Sequence, residues 1–256
     1  TLANRFLPRG VKLLAEKVET SRDYEQARDL GYSYFQGYFF SRPVLMERQR
    51  LAESKISKLR FLETVSRAEF DIDNAEDVVK HDPAMAMKLL KYINSAAFGV
   101  RNEVQSIRQA LTLLGQKNLR KWVAVLVMMG MGDDKPAELT RQTIVRARFC
   151  ETLAPLFNQP RLDQEFFMTG MFSLMDALTD QPLETVLADI PLSASVKDAL
   201  LEWTPPHADA LGLAQAFERG AWSDVGRLAA SYGLDEATLA ETHRTAMEWA
   251  DAVVDA

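Results

Sequence analysis

The sequence predicts a mainly α-helical protein that begins with a short α/β segment. Across most of the 256 residues, apolar side chains recur at helical spacing. Helix-start and helix-stop residues frame the stretch from Asp82-Pro83 to Gly115. Residues 11–40 follow another pattern, in which two strand-like runs flank a short helical one. We therefore expect two domains, residues 1–48 and residues 49–256.

The sequence of the first domain predicts a strand, a helix and a second strand. Val11–Val18 is apolar and branched, as in a buried strand. A helix begins around Thr20 and ends at Gly31, where glycine is a natural helix stop. The aromatic run Tyr32–Phe40 is strand-like and ends before Pro43. This order predicts a βαβ unit, the building block of parallel sheets.

The second domain reads as a succession of amphipathic helices. Asn94-Ser95 forms a polar joint after the helix that Asp82 caps, and Ser106 caps the next helix. We expect Asp163 and Ser193 to cap two later helices. The predicted helices cover residues 56–68, 75–80, 83–93, 107–114, 119–129, 137–157, 164–178, 194–203, 208–219, 224–232 and 236–254.

Composition restricts the function classes. The net charge of −6 argues against a broad nucleic-acid surface. With Cys150 as the single cysteine, no intramolecular disulfide can form, which favours a reducing cytoplasm. The most apolar stretch, Trp122–Met131, has about half the length that spans a bilayer. No signal peptide is visible at the start. The sequence thus predicts a cytoplasmic protein without membrane segments.

The potential metal ligands do not form a ligand pattern. The histidines, His81, His207 and His243, do not have the spacing that places two ligands on one helix face. Asp82 follows His81, but Pro83 after it favours a helix-capping role. Asp133-Asp134 lies in a glycine-containing loop without further ligands at regular spacing. We expect no metal and no cofactor.

Other reactive or charged residues have both a structural and a functional interpretation. Cys150 lies on the apolar side of its helix, so a buried thiol is a better interpretation than a nucleophile activated by neighbouring arginines. Asn94-Ser95 with Ser106 could also line a partner groove, and the methionines of residues 128–131 could bind a peptide, although joint, cap and core roles are favoured. Two basic clusters could bind phosphate or be solvated helix faces: Lys117, Arg120 and Lys121, and Arg141, Arg146 and Arg148.

Three segments of the second domain resemble the HDOD domain of bacterial signalling proteins. They read DPAMAMKLLKYINSAAFG from residue 82, SIRQALTLLG from residue 106 and KNLRKWV from residue 117. The resemblance extends from about Leu51 to the end of the chain. Where HD phosphohydrolases read approximately GLLHDIG, residues 170–176 read GMFSLMD. Ser173 thus stands at the histidine position and Leu174 at the aspartate position, which implies a degenerate HD site that holds no metal.

Residues 13–43 are similar to the final segment of EAL-type cyclic di-GMP phosphodiesterases, whose fold is a TIM-like barrel. In LLAEKVETSRDYEQARDLGYSYFQGYFFSRP, Glu16 matches a glutamate that serves a metal, and Gln36 matches a glutamine that lines the ligand site. Lys17 replaces the usual glycine beside that glutamate. The EAL signature and the other acidic strand ends lie upstream in the family and are absent here. The resemblance implies a barrel remnant without its metal site.

The resemblances together imply a non-enzymatic regulatory module. It would transmit a signal through contacts with protein partners, with cyclic di-GMP signalling as one setting. Partner, input signal, oligomeric state and cyclic di-GMP binding are left open. One alternative is a cyclic di-GMP phosphodiesterase whose full-length form has an intact EAL barrel. Another is a nucleic-acid-binding regulator, although the net charge disfavours it.

Overall fold

The structure, a computed structural model, describes residues 2–18, 20–35, 72–81, 83–95, 100, 103–132, 134–188, 190 and 192–254. The chain divides into two compact units, Thr1–Val44 and Leu45–Ala256. The predicted boundary at residue 48 lies outside the described residues. So do the predicted helix over residues 56–68, the Asp82 cap, Asp133 and Gln36.

The first unit contains a parallel strand pair. Its elements are α1 (Leu2–Phe6), a 3-10 turn (Leu7–Arg9), β1 (Leu14–Ala15), α2 (Ser21–Asp29) and β2 (Tyr34–Phe35). The strands pair in parallel, with Leu14 opposite Tyr34, which confirms the strand–helix–strand order. Thr20 and Asp23 form a capping box that starts α2. Both strands are two residues long, so the described residues show no EAL-type barrel segment.

All the secondary-structure elements described in the second unit are helices. Its helices are α3 (Ile72–Lys80), α4 (Pro83–Ile93), α5 (Ile107–Met131), α6 (Ala137–Leu156), α7 (Asp163–Phe172), α8 (Met175–Thr179), α9 (Leu183–Ala188), α10 (Ala194–Leu201), α11 (His207–Arg219), α12 (Trp222–Ser231) and α13 (Glu236–Val254). None of the described helices is both long and apolar enough to cross a membrane.

Two local predictions about α4 and α5 are confirmed. The Ser106 hydroxyl accepts the Gln109 N–H and caps α5. The Asn94 amide donates to the carbonyl of Val104 at 2.9 Å and accepts its N–H at 2.8 Å, so it fixes the joint between the helices. The predicted stop at Gly115 is a sharp break, with φ of 72°, after which the helix resumes at once.

Other helix predictions need correction. The carboxylate of Asp163 makes ion pairs with Lys117 and Lys121 of α5, and Leu162 is the residue before α7. The single helix predicted over residues 164–178 is interrupted after α7, where the Ser173 hydroxyl donates to the carbonyl of Gly170 at 2.7 Å. Such a bond from a side chain to the backbone competes with a regular helix. The predicted cap at Ser193 is also wrong, because Ser193 precedes α10 but its side chain makes no capping hydrogen bond. Helix α10 ends at Leu201, two residues before the predicted end.

Helix α6 is the centre of the second unit and packs most extensively against α7 and α13. Its N-terminal half, including Ile144, joins the apolar cluster around Trp122 and Met128 of α5. Its C-terminal half, including Phe149, joins a second cluster with Phe166 of α7. Arg146 and Glu151 of α6, whose side chains are 4% and 7% exposed, therefore lie within the core.

Candidate functional site

The two positions that the HD resemblance singles out have different environments. Leu174 is 4% exposed and belongs to the apolar core. The hydroxyl of Ser173 accepts a hydrogen bond from Nη1 of Arg146 at 2.8 Å. The same guanidinium donates from Nε and Nη2 to the two carboxylate oxygens of Glu218, at 2.8 and 2.6 Å. A side-chain cation, contributed by α6, therefore contacts Ser173.

The Arg146–Glu218 pair is bidentate and almost fully enclosed, since the arginine side chain is 4% exposed and the glutamate 17%. Two parallel charge-assisted bonds satisfy a planar guanidinium better than one. They tie α6 to the last turn of α11, and the bond to Ser173 adds the end of α7. The arrangement binds three helices together, and its two charges depend on each other.

Cys150 lies one helical turn after Arg146 and is fully buried. Burial raises the pKa of its thiol to about 12, although the nearby Arg146 acts in the opposite direction. The sulfur is thus a neutral thiol without access to solvent, and the predicted core role of Cys150 is confirmed.

The three histidines are not brought together as ligands. His81 is exposed. The buried His207 has Nε2 3.4 Å from the carboxylate of Glu165, while the ring of His243 stacks on Phe217 at 4.9 Å. Burial lowers the pKa of both His207 and His243. Within the described parts of the chain, no group of three or more His, Cys, Asp or Glu residues could hold a metal ion.

A second polar cluster connects α5, α6 and α7. Lys121 is 8% exposed and forms an ion pair with Glu151, and its Nζ lies 3.8 Å from Asp163. Glu151 also accepts from Nη1 of Arg148 at 2.7 Å, and Lys117 pairs with Asp163. The sequence prediction of a solvated basic face is wrong for Lys121, because this lysine points inward to acidic partners.

The other predicted basic cluster is also engaged within the protein. Arg141 binds both carboxylate oxygens of Asp251, at 2.7 and 3.2 Å. Arg146 and Arg148 bind Glu218 and Glu151, as described above. These three charges therefore have acidic side chains of the same unit as partners.

A cavity opens beside Lys121, between α5, α7 and the start of α10, and has a volume of about 140 Å³. Polar groups and apolar side chains share its wall, which is the usual composition of small-molecule sites. Its lining residues are Arg120, Lys121, Gln164, Glu165, Met168, Leu192, Ser193 and Val196. Sequence reasoning did not find this cavity, because its walls come from three separate helices.

Comparison with known families decides the class of the second unit. Residues 56–179 match the HDOD domain family. The chain contains an HDOD domain. The matched residues extend through α8 and include Lys121, Arg146, Glu151 and Ser173. Glu218, the ion-pair partner of Arg146, lies beyond the HDOD match.

Two curated proteins resemble both the HDOD domain and its flanking regions. A protein of Vibrio cholerae named cyclic di-GMP phosphodiesterase CdgJ is 33% identical over 238 residues, which cover 93% of this chain and 55% of that protein. The uncharacterized protein YuxH of Bacillus subtilis is 30% identical over 259 residues, covering 100% of this chain and 63% of that protein. The chain thus spans less than two thirds of either relative. No solved structure matches it significantly.

The first of these relatives overturns the expectation of a non-enzymatic protein. A protein that resembles this chain over 93% of its length is named as an enzyme. The serine and leucine at positions 173 and 174, which were expected to mark a degenerate HD site, are therefore no argument against enzymatic activity.

The two EAL-like positions lie in the first unit. Glu16 is exposed and directly follows β1. Gln36 follows β2 in sequence but lies outside the described residues. The structure therefore describes the surroundings of only one of the two.

Proposed function

We propose that this chain is part of a cyclic di-GMP phosphodiesterase and that its HDOD domain controls the enzyme through protein–protein contacts. The observation that carries the proposal is the 33% identity, over 93% of the chain, to a protein named cyclic di-GMP phosphodiesterase. This similarity includes both units. Because the chain spans 55% of that relative, the activity is proposed for the whole natural protein.

The first unit supports the enzymatic part of the proposal. Its β1 and β2 are parallel, and Ala15 pairs with Phe35 at their ends. Glu16 and Gln36 are the next residues in sequence, so both follow the carboxyl end of a parallel strand. Sites of TIM-like barrels form at these strand ends and combine residues from several strands. We propose that Glu16 contributes to a metal site to which other strands of an EAL-type barrel also contribute.

The HDOD-containing unit supports the regulatory part of the proposal. Trp203 and Trp222 are 53% and 64% exposed, which is unusual for the largest aromatic side chain. Tryptophan is enriched at the energetic centres of protein interfaces, where it fills pockets of a partner. We propose that these two side chains contact a protein partner that adjusts the phosphodiesterase.

The enzymatic part is tested with the protein in its natural full length. Purified protein is assayed for metal-dependent hydrolysis of cyclic di-GMP, together with Glu16→Gln and the control Glu25→Gln, an exposed position of α2. Loss of even an outer partner of a metal site costs about 10–100-fold, so Glu16→Gln should lower the rate by at least that factor, whereas the control should match the parent. No hydrolysis by the parent protein, or full activity of Glu16→Gln, would refute this part.

The regulatory part needs measurements inside and outside the cell. We expect Trp203→Ala and Trp222→Ala to hydrolyse cyclic di-GMP normally when purified but to change the cyclic di-GMP level of the source cell. Ser223→Ala, beside Trp222 and also exposed, is the control. Cellular levels that stay at the parent value in both tryptophan variants would count against a partner contact through these side chains.

A further inference from the structure

The cavity beside Lys121 has the size of a single flat ring system. Its volume of about 140 Å³ is close to that of a cavity of about 150 Å³ that accepts one benzene molecule. A whole dinucleotide does not fit into such a space. A single base is larger than benzene, but the cavity is open to solvent on one side, so a base can enter with one edge in solvent. Met168, Leu192 and Val196 line the cavity with apolar surface suited to the faces of a ring.

Three ionic side chains line the cavity, and they differ in their contacts within the protein. The ammonium group of Lys121 already faces the carboxylates of Glu151 and Asp163. Arg120 and Glu165 are the other ionic residues of the lining. Both line the same cavity, so an occupant lies beside a guanidinium and a carboxylate.

Glu165 has the capacity to accept further hydrogen bonds. Its Oε2 accepts from the hydroxyl of Ser195 at 2.6 Å and lies 3.4 Å from Nε2 of His207. Burial lowers the pKa of His207, so this neighbour is a neutral imidazole at pH 7 rather than a cation. A carboxylate can accept about four hydrogen bonds, and the Glu165 side chain is 32% exposed. Donors of a bound ring can reach it.

We propose that this cavity binds the guanine base of a guanine nucleotide. Guanine presents two adjacent donors, N1–H and the N2 amino group, which suit the carboxylate of Glu165, and two acceptors, O6 and N7, to which arginine binds well. Its ring faces would lie against Met168 and Val196. The inference rests on the proposed function, because cyclic di-GMP signalling supplies a ligand with two guanine bases.

The test is a calorimetric titration of this chain with GMP, cyclic di-GMP, AMP and inorganic phosphate. We expect both guanine ligands to bind, AMP to bind about tenfold more weakly or worse, and phosphate alone not to bind. Equal affinities for GMP and AMP would overturn the assignment, since adenine lacks the paired donors. Binding of phosphate as strong as that of GMP would also overturn it, because it would show an anion site.

Three variants test whether GMP binds in this cavity. Glu165→Gln should weaken GMP binding by about tenfold or more, because the amide presents a donor where a carboxylate accepted. Met168→Trp should abolish it by filling the cavity. Glu184→Gln, an exposed position of α9 outside the cavity, should bind as the parent does. Melting curves establish that each variant is folded. Unchanged GMP affinity in folded Glu165→Gln or Met168→Trp would place any binding elsewhere and refute the proposal.

The two proposals fail in different experiments. If the full-length protein hydrolyses cyclic di-GMP and loses that activity in Glu16→Gln, but this chain does not bind GMP, the cavity assignment alone is wrong. If GMP binds in the cavity and the full-length protein has no hydrolytic activity, the phosphodiesterase proposal is wrong.

Discussion

Gly170 is the residue at which a single methyl group should disturb the centre of the helical unit. It lies on α7 where this helix meets α6. A Cβ at this position would be 2.5 Å from the carbonyl oxygen of Arg146 and 2.7 and 2.8 Å from Cα and N of Ala147. All three are backbone atoms of a helix, so no side-chain rotation relieves the clash. The two helices must separate.

The magnitude follows from two opposing effects in Gly170→Ala. Alanine is favoured over glycine within a helix by about 1 kcal/mol. Against this, the shortest contact is 0.9 Å below the 3.4 Å at which ordinary van der Waals contact begins, and overpacking of a core costs about 1–3 kcal/mol or more. Because rigid backbone must move, we expect Gly170→Ala to lower the free energy of unfolding by about 2 kcal/mol. For a unit of this size, that corresponds to a melting temperature about 4–8 °C lower.

Gly226→Ala on α12 is the matched control. The nearest atom to its added Cβ is the end of the Glu236 side chain at 3.6 Å, which is an ordinary contact. Only the preference of alanine over glycine within a helix then applies, so the free energy of unfolding of this variant should rise by up to about 1 kcal/mol. Thermal and urea unfolding, followed by helical circular dichroism, measure both. If Gly170→Ala is as stable as the parent while Gly226→Ala gains stability, the close approach of α6 and α7 is not as described.

Three further predictions concern buried polar groups. Cys150 should react with a thiol reagent only when the protein unfolds, because the buried thiol has a pKa of about 12; rapid labelling of native protein would contradict this. Arg146→Met or Glu218→Met alone should lower the free energy of unfolding by about 3–5 kcal/mol, and the double variant should lower it by less than the sum of the two losses. Additive losses in a double-mutant cycle would show that the two charges are not coupled. Burial lowers the pKa of His207 and His243 below 6.5. The unfolded chain therefore binds more protons than the folded one, so the free energy of unfolding should decrease as the pH falls below about 6.5. Urea titrations should show that His207→Gln weakens this pH dependence.

The ends of several helices were predictable because their signals act within one turn. Thr20 and Ser106 each accept a backbone N–H three residues ahead, so the local sequence contains the whole interaction. The same holds for Gly115, where the backbone adopts a positive φ that favours glycine. These features require no knowledge of the fold.

Asp163 shows where local reasoning fails. Its position at the start of a helix predicts a cap, but its carboxylate pairs with Lys117 and Lys121 instead. The helix begins one residue earlier than predicted, so Leu162 takes the cap position and the Asp163 carboxylate is left to face the two lysines. The competition is decided by the packing of α5 against α7, which no short stretch of sequence records.

The polar clusters were not predictable for the same reason. Arg146 and Glu218 are 72 residues apart, and neither belongs to a motif. A basic residue among other basic residues indicates a solvated face unless its acidic partner is known. The cavity likewise depends on how three helices converge, and its ionic residues are ordinary surface types in the sequence.

The incorrect expectation of a non-enzymatic protein has a chemical origin. Ser173 and Leu174 lack the ligands of one reaction centre, the metal site of HD phosphohydrolases. A phosphodiesterase of the barrel type draws its metal ligands from strand ends, so the side chains at these two positions between α7 and α8 have no bearing on it. An expectation about one kind of catalytic centre therefore carries no weight against a centre of another kind. The relative named as a phosphodiesterase resembles the chain in both units, which leaves Glu16 as the residue whose substitution tests the enzymatic proposal directly.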